Sequence, residues 1–154
     1  MKTITTLELE LASKFKNGTW GGSKGISRTL IWYAAFILYS LPKMQDSHTY
    51  GLRQAYETSL KDILISSLQK VGNGLGLAYI PDAKADIGMT SLLITILLND
   101  RTFDRETRAE LLGKLIIFIS HYYMYPEYSQ YTYSWTWAMV LRSFSAINYA
   151  VTEL

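Results

Sequence analysis

Cysteine is absent from the 154 residues, so the chain has no disulfide framework, no thiol nucleophile and no thiolate metal site. That composition fits an intracellular, cytoplasmic protein. Histidine is nearly absent. His48 and His121 stand far apart, and neither has a second histidine or a ligand-like carboxylate at helical spacing, so no metal centre is expected. His48, beside Asp46 and Ser47, reads as a loop or cap residue, and His121, at the end of an apolar stripe, as a hydrogen-bonded packing residue. No nucleophile and base pair stands out, and neither catalysis nor a cofactor is expected. Long apolar runs are missing too. Thr29 to Leu41, Leu92 to Leu98 and Leu115 to Ile119 all fall short of the ~20 residues that span a bilayer, so no membrane partner is expected. Charge of one sign is not in excess: the net charge is +2, and a nucleic-acid role would need local clustering of lysine and arginine.

What the chain does have is apolar content, 49% of its residues, enough for a single domain over 1–154 with one core. The spacing predicts a compact all-α bundle of six or seven helices. Leu60, Ile63, Leu64, Ser67, Leu68 and Val71 recur every three or four residues, which predicts one helix over about Thr49 to Val71. Gly72, Gly74 and Gly76 follow, and a backbone without Cβ atoms can approach a neighbour closely. A short helix is expected around Leu75 to Ile80, then a turn at Pro81-Asp82 and a helix from about Ala83 to Leu98. Asp104 is placed to cap the next helix, whose stripe of Ala109, Leu112, Leu115, Ile116, Ile119 and Tyr123 runs to about Met124.

Three further helices complete the expectation. A helix of about Thr5 to Phe15 is preferred to a strand, and one from about Ser27 to Leu41, carrying Trp32, Tyr33 and Phe36, stops before Pro42. The last runs from about Tyr131 to Val151, with Trp137, Leu141, Phe144 and Ile147 inward. The aromatic run from Tyr122 to Trp137 is read first as an interhelical corner or a subunit interface, and second as a surface for stacking bases.

One locally basic region exists. No acidic residue lies between Leu11 and Leu41, and Lys14, Lys16, Lys24 and Arg28 bracket a glycine-rich stretch, Asn17 to Gly25, that reads as a mobile loop. Its order differs from G-x-x-x-x-G-K-[ST], so it is not a nucleotide loop, although its amides and lysines suit a sugar-phosphate backbone.

Tyr56, Lys61, the apolar Ile63 to Leu68, Gly74-Leu75, Leu77-Ala78-Tyr79 and Lys84 together resemble the small helical subunit of type III-B CRISPR effector (Cmr) complexes over about thirty residues, with a looser likeness at Tyr149-Ala150. Asp62-Ile63 stands where that family has a leucine-proline step, and Ile147-Asn148 where it has basic residues. The resemblance implies a non-catalytic bundle that stacks with copies of itself and other subunits along a guide RNA and its target nucleic acid. Lys14, Lys16, Lys24 and Arg28 of the acid-free segment, Lys61 and Lys84 of the resemblance, and Lys70 and Arg142 are the candidate backbone contacts. The alternative is a structural or inhibitory protein-interaction module, such as an anti-defence or immunity factor or a viral coat protein.

Overall fold

The stretch from Ile87 to Leu97 is apolar except for a glycine and small hydroxyl residues, and a helix without a polar face has to be enclosed on all sides. The computed structural model, which describes residues 15–16, 19–20, 30–40, 50–99, 104–129 and 134–152, builds the fold around that requirement. Every residue from Ile87 to Leu97 is buried, in a helix that extends to Asn99. Five α-helices are present among the described residues: α1 (Leu30–Ser40), α2 (Tyr50–Ser66), α3 (Ile87–Asn99), α4 (Arg105–Tyr122) and α5 (Ser134–Thr152). The strands are β1 (Phe15–Lys16), β2 (Thr19–Trp20), β3 (Leu68–Val71), β4 (Gly74–Ala78) and β5 (Ala85–Asp86). Helix α3 is walled by α1, α4 and α5 and by the β4 and β5 strands, while α2 packs on α1.

The strands form two small antiparallel arrangements, a β1–β2 pair and a sheet in the order β3-β4-β5. In the sheet Val71 pairs with Gly74 across a two-residue turn, and Leu77 pairs with both Leu68 and Asp86. Gly72 opens that turn at φ +57, whereas Asn73 keeps a negative φ, the order of a type II′ hairpin turn. Asp82 also takes a positive φ, so the chain does turn at Pro81-Asp82.

Glycine lets the sheet sit directly on α4. A Cβ on Gly74 would lie 2.7 Å from the Phe118 amide nitrogen, and one on Gly76 would lie 2.6 Å from the Ala85 Cβ and 3.0 Å from the Phe118 ring. The close approach expected of these glycines therefore exists, made by a strand rather than a helix.

The fold is mostly helical but not all-α, and several expected boundaries shift. The helix of Thr49 to Val71 ends at Ser66, and Leu68 to Val71 with Leu75 to Ala78 form the hairpin. Leu60 and Leu64 are buried as expected, while Ile63, Leu68 and Val71 are half-buried against the same core. Helix α3 starts four residues after Ala83 because β4 captures Ala85 and Asp86 as a third strand. Phe15–Lys16 pairs with Thr19–Trp20, which removes the end of the expected Thr5 to Phe15 helix and places a strand inside the expected Asn17 to Gly25 loop; the rest of both segments lies outside the described residues. Asp104 does cap α4, its carboxylate accepting the Thr107 amide at 2.8 Å, and hydrogen bonds from the Thr107 side chain first and its amide second lower the Asp104 pKa.

Gly74 and Gly113 make a matched test of this packing. Nothing lies within 4 Å of a Cβ built on Gly113, which is exposed in the middle of α4. Gly113→Ala is expected to raise stability by ~0.5–1 kcal/mol through helix propensity. Gly74→Ala is expected to cost ~1–3 kcal/mol through overpacking against the Phe118 backbone. Urea unfolding of both variants checks the pair, and a tolerated Gly74→Ala would place the hairpin elsewhere. In the same assay Leu64→Ala, at a fully buried position, should lose ~2–5 kcal/mol.

Candidate interaction surfaces

Two exposed surfaces carry large apolar side chains. The first is a corner where α4 ends. Beyond Tyr122 the chain passes through Tyr123, Met124 and Tyr125 into a 3-10 turn at Pro126–Tyr128, since proline suits the first turn position and cannot extend the preceding helix. The buried Phe118 ring anchors the corner, with the Tyr122 ring at 5.5 Å and the Tyr128 ring edge-on at 5.5 Å. Tyr122 also meets Tyr128 at 4.9 Å and Tyr125 at 5.6 Å. Around these packed rings Tyr123, Met124 and Tyr125 project into solvent, Met124 with 73% of its surface exposed. Offset and edge-on rings contribute ~0.5–1.5 kcal/mol per pair beyond their area, so the platform is rigid.

The second surface runs along α5. Trp137, Leu141 and Phe144, spaced by four and three residues, share one face of the helix and are exposed, Leu141 by 69%. They were expected to point inward. Instead Val140 and Ser143 are buried, and the Ser143 hydroxyl donates to the Val140 carbonyl at 2.8 Å; Ile147 does pack against the core as expected. Between Ser134 and Thr152 the helix carries a single charged side chain, Arg142.

Among the described residues the candidates Lys61, Lys70, Lys84 and Arg142 stand on four separate segments. Lys61 is half-buried on α2 and lines a shallow apolar notch with Leu38, Leu64, Leu93 and Leu97. Lys70 is exposed on β3. Lys84 is exposed just before β5, pairs with Glu127 at 3.0 Å and lies 5.9 Å from the centre of the Tyr128 ring. The Arg142 guanidinium sits 5.2 Å from the centre of the Tyr39 ring. The Gln69 side-chain amide donates to the Ala83 carbonyl at 2.7 Å and ties β3, which carries Lys70, to the segment before β5, which carries Lys84. Lys16 belongs to β1, and Lys14, Lys24 and Arg28 lie outside the described residues.

Sequence reasoning missed Asp86, the most unusual titratable group described. It stands at the start of α3, 2% exposed; one carboxylate oxygen accepts the Met89 amide at 2.9 Å, and the other has no hydrogen-bond partner. Its carbonyl accepts the Thr90 hydroxyl at 2.7 Å, and that hydroxyl oxygen accepts the Leu77 amide at 2.9 Å, joining α3 to β4. Burial pushes its pKa up, against the opposing effect of the Met89 and Gly88 amides. An aspartate immediately before an apolar run is a helix-start signal that would have found it.

His121 is exposed on α4, with Nδ1 2.9 Å from the Ile117 carbonyl oxygen, and His48 lies outside the described residues. Among the described residues no three histidine, aspartate or glutamate side chains converge as a metal site would require. No helix among them is long and apolar enough to cross a membrane. No protein-family model, curated protein or solved structure matches the chain.

The raised Asp86 pKa has a defined sign in stability. Below the unfolded value of ~3.9 the carboxyl is protonated in both states and burial carries no charge penalty. As pH rises from there to the folded pKa, the unfolded chain releases the proton first, and stability falls. Asn at this position keeps a capping oxygen without the charge. Asp86→Asn should therefore be more stable than wild type at pH 7, with the difference closing as the pH falls toward the unfolded value. Urea midpoints across that range measure it; a variant less stable at pH 7 would show that the charged cap outweighs its desolvation.

Proposed function

We propose that this chain is a non-catalytic subunit that works by docking to other proteins in a larger assembly, further copies of itself first among them. The observation that carries the reading is the α5 face of Trp137, Leu141 and Phe144 on a helix with one charged side chain. A solvent-facing helix ordinarily alternates its apolar stripe with charge on the other side, and α5 does so on neither. Full burial of one such side chain contributes ~1.5–3 kcal/mol, so covering three supplies a useful share of a modest association energy. The stripe is nearly the same read in either direction, an aromatic residue on each side of Leu141, which suits antiparallel contact between two copies. The exposed Tyr123, Met124 and Tyr125 offer a second contact on rigid rings, the side-chain chemistry that protein interfaces favour.

A second reading makes the assembly an RNA-guided CRISPR effector complex, with this chain as its small subunit holding the nucleic-acid backbone. Its support is the likeness over Tyr56 to Lys84, together with the exposure of Lys70 on β3 and of Lys84 just before β5. The absence of cysteine and a cytoplasmic location fit both readings.

Light scattering of the purified chain over a concentration series tests the first. Wild type should self-associate, while Leu141→Glu, a change at an exposed position, should remain monomeric at the same concentrations with an unchanged urea midpoint. Identical behaviour of the two would remove the α5 face from the interface. For the second reading, binding to single-stranded RNA and to an RNA duplex is followed across a salt series. Lys70→Ala and Lys84→Ala should each weaken binding to all sequences alike and make the salt slope shallower by about one unit. Unchanged slopes would sink the backbone role of both lysines.

A further inference from the structure

The tip of the β3–β4 hairpin combines two requirements that conflict chemically. Gly74 has to be glycine, because a Cβ there would lie 2.7 Å from the Phe118 nitrogen and 2.8 Å from its Cα, backbone atoms that have no freedom to withdraw. The residue before it, Asn73, is exposed in the two-residue turn. An exposed asparagine followed by glycine is the peptide arrangement most open to intramolecular attack, since no side chain shields the following amide nitrogen. Packing on α4 thus fixes one half of a labile pair, and the turn supplies the other.

We propose that Asn73 is a site of spontaneous succinimide formation and isoaspartate modification, gated by opening of the β3–β4 hairpin. The Gly74 nitrogen attacks the Asn73 Cγ, a new C–N bond forms, the amide C–N bond breaks, and the amide group leaves as ammonia with the proton released by Gly74. Water then opens the five-membered ring at either carbonyl. One opening gives aspartate, and the other gives isoaspartate, in which the main chain runs through the former side chain and gains a methylene. No oxidation or reduction occurs, and water is the only co-reactant.

The structure assigns a consequence to the isoaspartate form. Val71 and Gly74 close the ladder across just two residues, so an added backbone methylene cannot be absorbed without moving one of them. Movement of Gly74 withdraws the strand from Phe118, and with it Gly76, whose Cα is held between Ala85 and the Phe118 ring. The modification therefore loosens the sheet from α4. Because Gly74 is held in the ladder, its nitrogen is presented for attack only when that end of the hairpin opens, and the folded chain reacts more slowly than the unfolded one.

Cleavage at lysine gives a peptide from Val71 to Lys84 in which Asn73 is the sole asparagine, so the site can be followed separately from Asn17-Gly18. Full-length chain is incubated at mildly alkaline pH, folded in buffer and unfolded in urea, and the peptide is scored for the mass gain of amide-to-acid conversion and for isoaspartate by chromatography. Conversion is expected in both samples and several-fold slower in the folded one. The aged folded chain is then separated by ion exchange, since the product carries one more carboxylate, each fraction is assigned by its Val71 to Lys84 peptide, and the fraction with isoaspartate at Asn73 should unfold at lower urea than the unmodified one. Asn73→Ser, compatible with the negative φ, should age without that second population. Conversion in urea with none in the folded chain, equal rates in both, or an isoaspartate fraction as stable as its parent would each overturn the proposal.

Discussion

A helix with no solvent face is the constraint on which the rest of this structure depends. Every side of α3 from Ile87 to Leu97 is buried, so α1, α4, α5 and the β4–β5 pair each have to supply a wall. Its polar residues fit this enclosure by bonding within their own helix or to its walls. Thr90 and Thr95 donate to carbonyls one turn back, and Asn99 donates to the Thr95 carbonyl at 2.8 Å. The Thr90 hydroxyl does more, because accepting the Leu77 amide fixes the height of β4 against the helix. Two polar atoms escape the scheme, the second Asp86 oxygen and the Ser91 hydroxyl, and each is a buried polar group that costs stability.

Phe118 transmits the same order outward. Its ring and backbone fill the space that the missing Cβ atoms of Gly74 and Gly76 leave, and its ring carries Tyr122 and Tyr128. Of the solvent-facing tyrosines of the corner, Tyr125 is thereby held at one remove from the core, through its contact with Tyr122. A partner meeting Tyr123, Met124 and Tyr125 would cover large exposed side chains that stand next to the packed rings.

How much of this was legible in the sequence varied with the kind of signal. The α4 cap at Asp104, the buried Leu60 and Leu64 and the turn at Pro81-Asp82 rest on local chemistry that tertiary packing left intact. Leu68 to Ala78 was misassigned because Leu68 and Val71 satisfy a helical spacing as a continuation of α2, while a short apolar run gives no periodicity that separates strand from helix. The turn chemistry was present, though. Glycine then asparagine at Gly72-Asn73, and asparagine then glycine at Asn17-Gly18, are two-residue hairpin signals in the sequence that outrank propensity. The inward face of α5 failed for a different reason. Trp137, Val140, Leu141, Phe144 and Ile147 spread apolar surface over so much of the helix that sequence alone selects no unique core side.

Basic residues were the least legible, since a charge in sequence says nothing about its neighbours in space. Lys84 and Arg142 both lie against tyrosine rings, and Lys84 also pairs with Glu127. An exposed ion pair holds a lysine by ~0–1 kcal/mol, so Glu127 alone would not keep Lys84 from a phosphate. The harder requirement is number. Phosphate recognition gains from several cations releasing counterions together, and among the described residues the three-stranded sheet carries Lys70 alone, with Lys84 just before β5. Apolar docking has no such threshold, because each exposed side chain gains independently as it leaves water. On a chain of net charge +2, the uncovered Trp137, Leu141 and Phe144 are accordingly the reason that apolar docking stands first in the proposal.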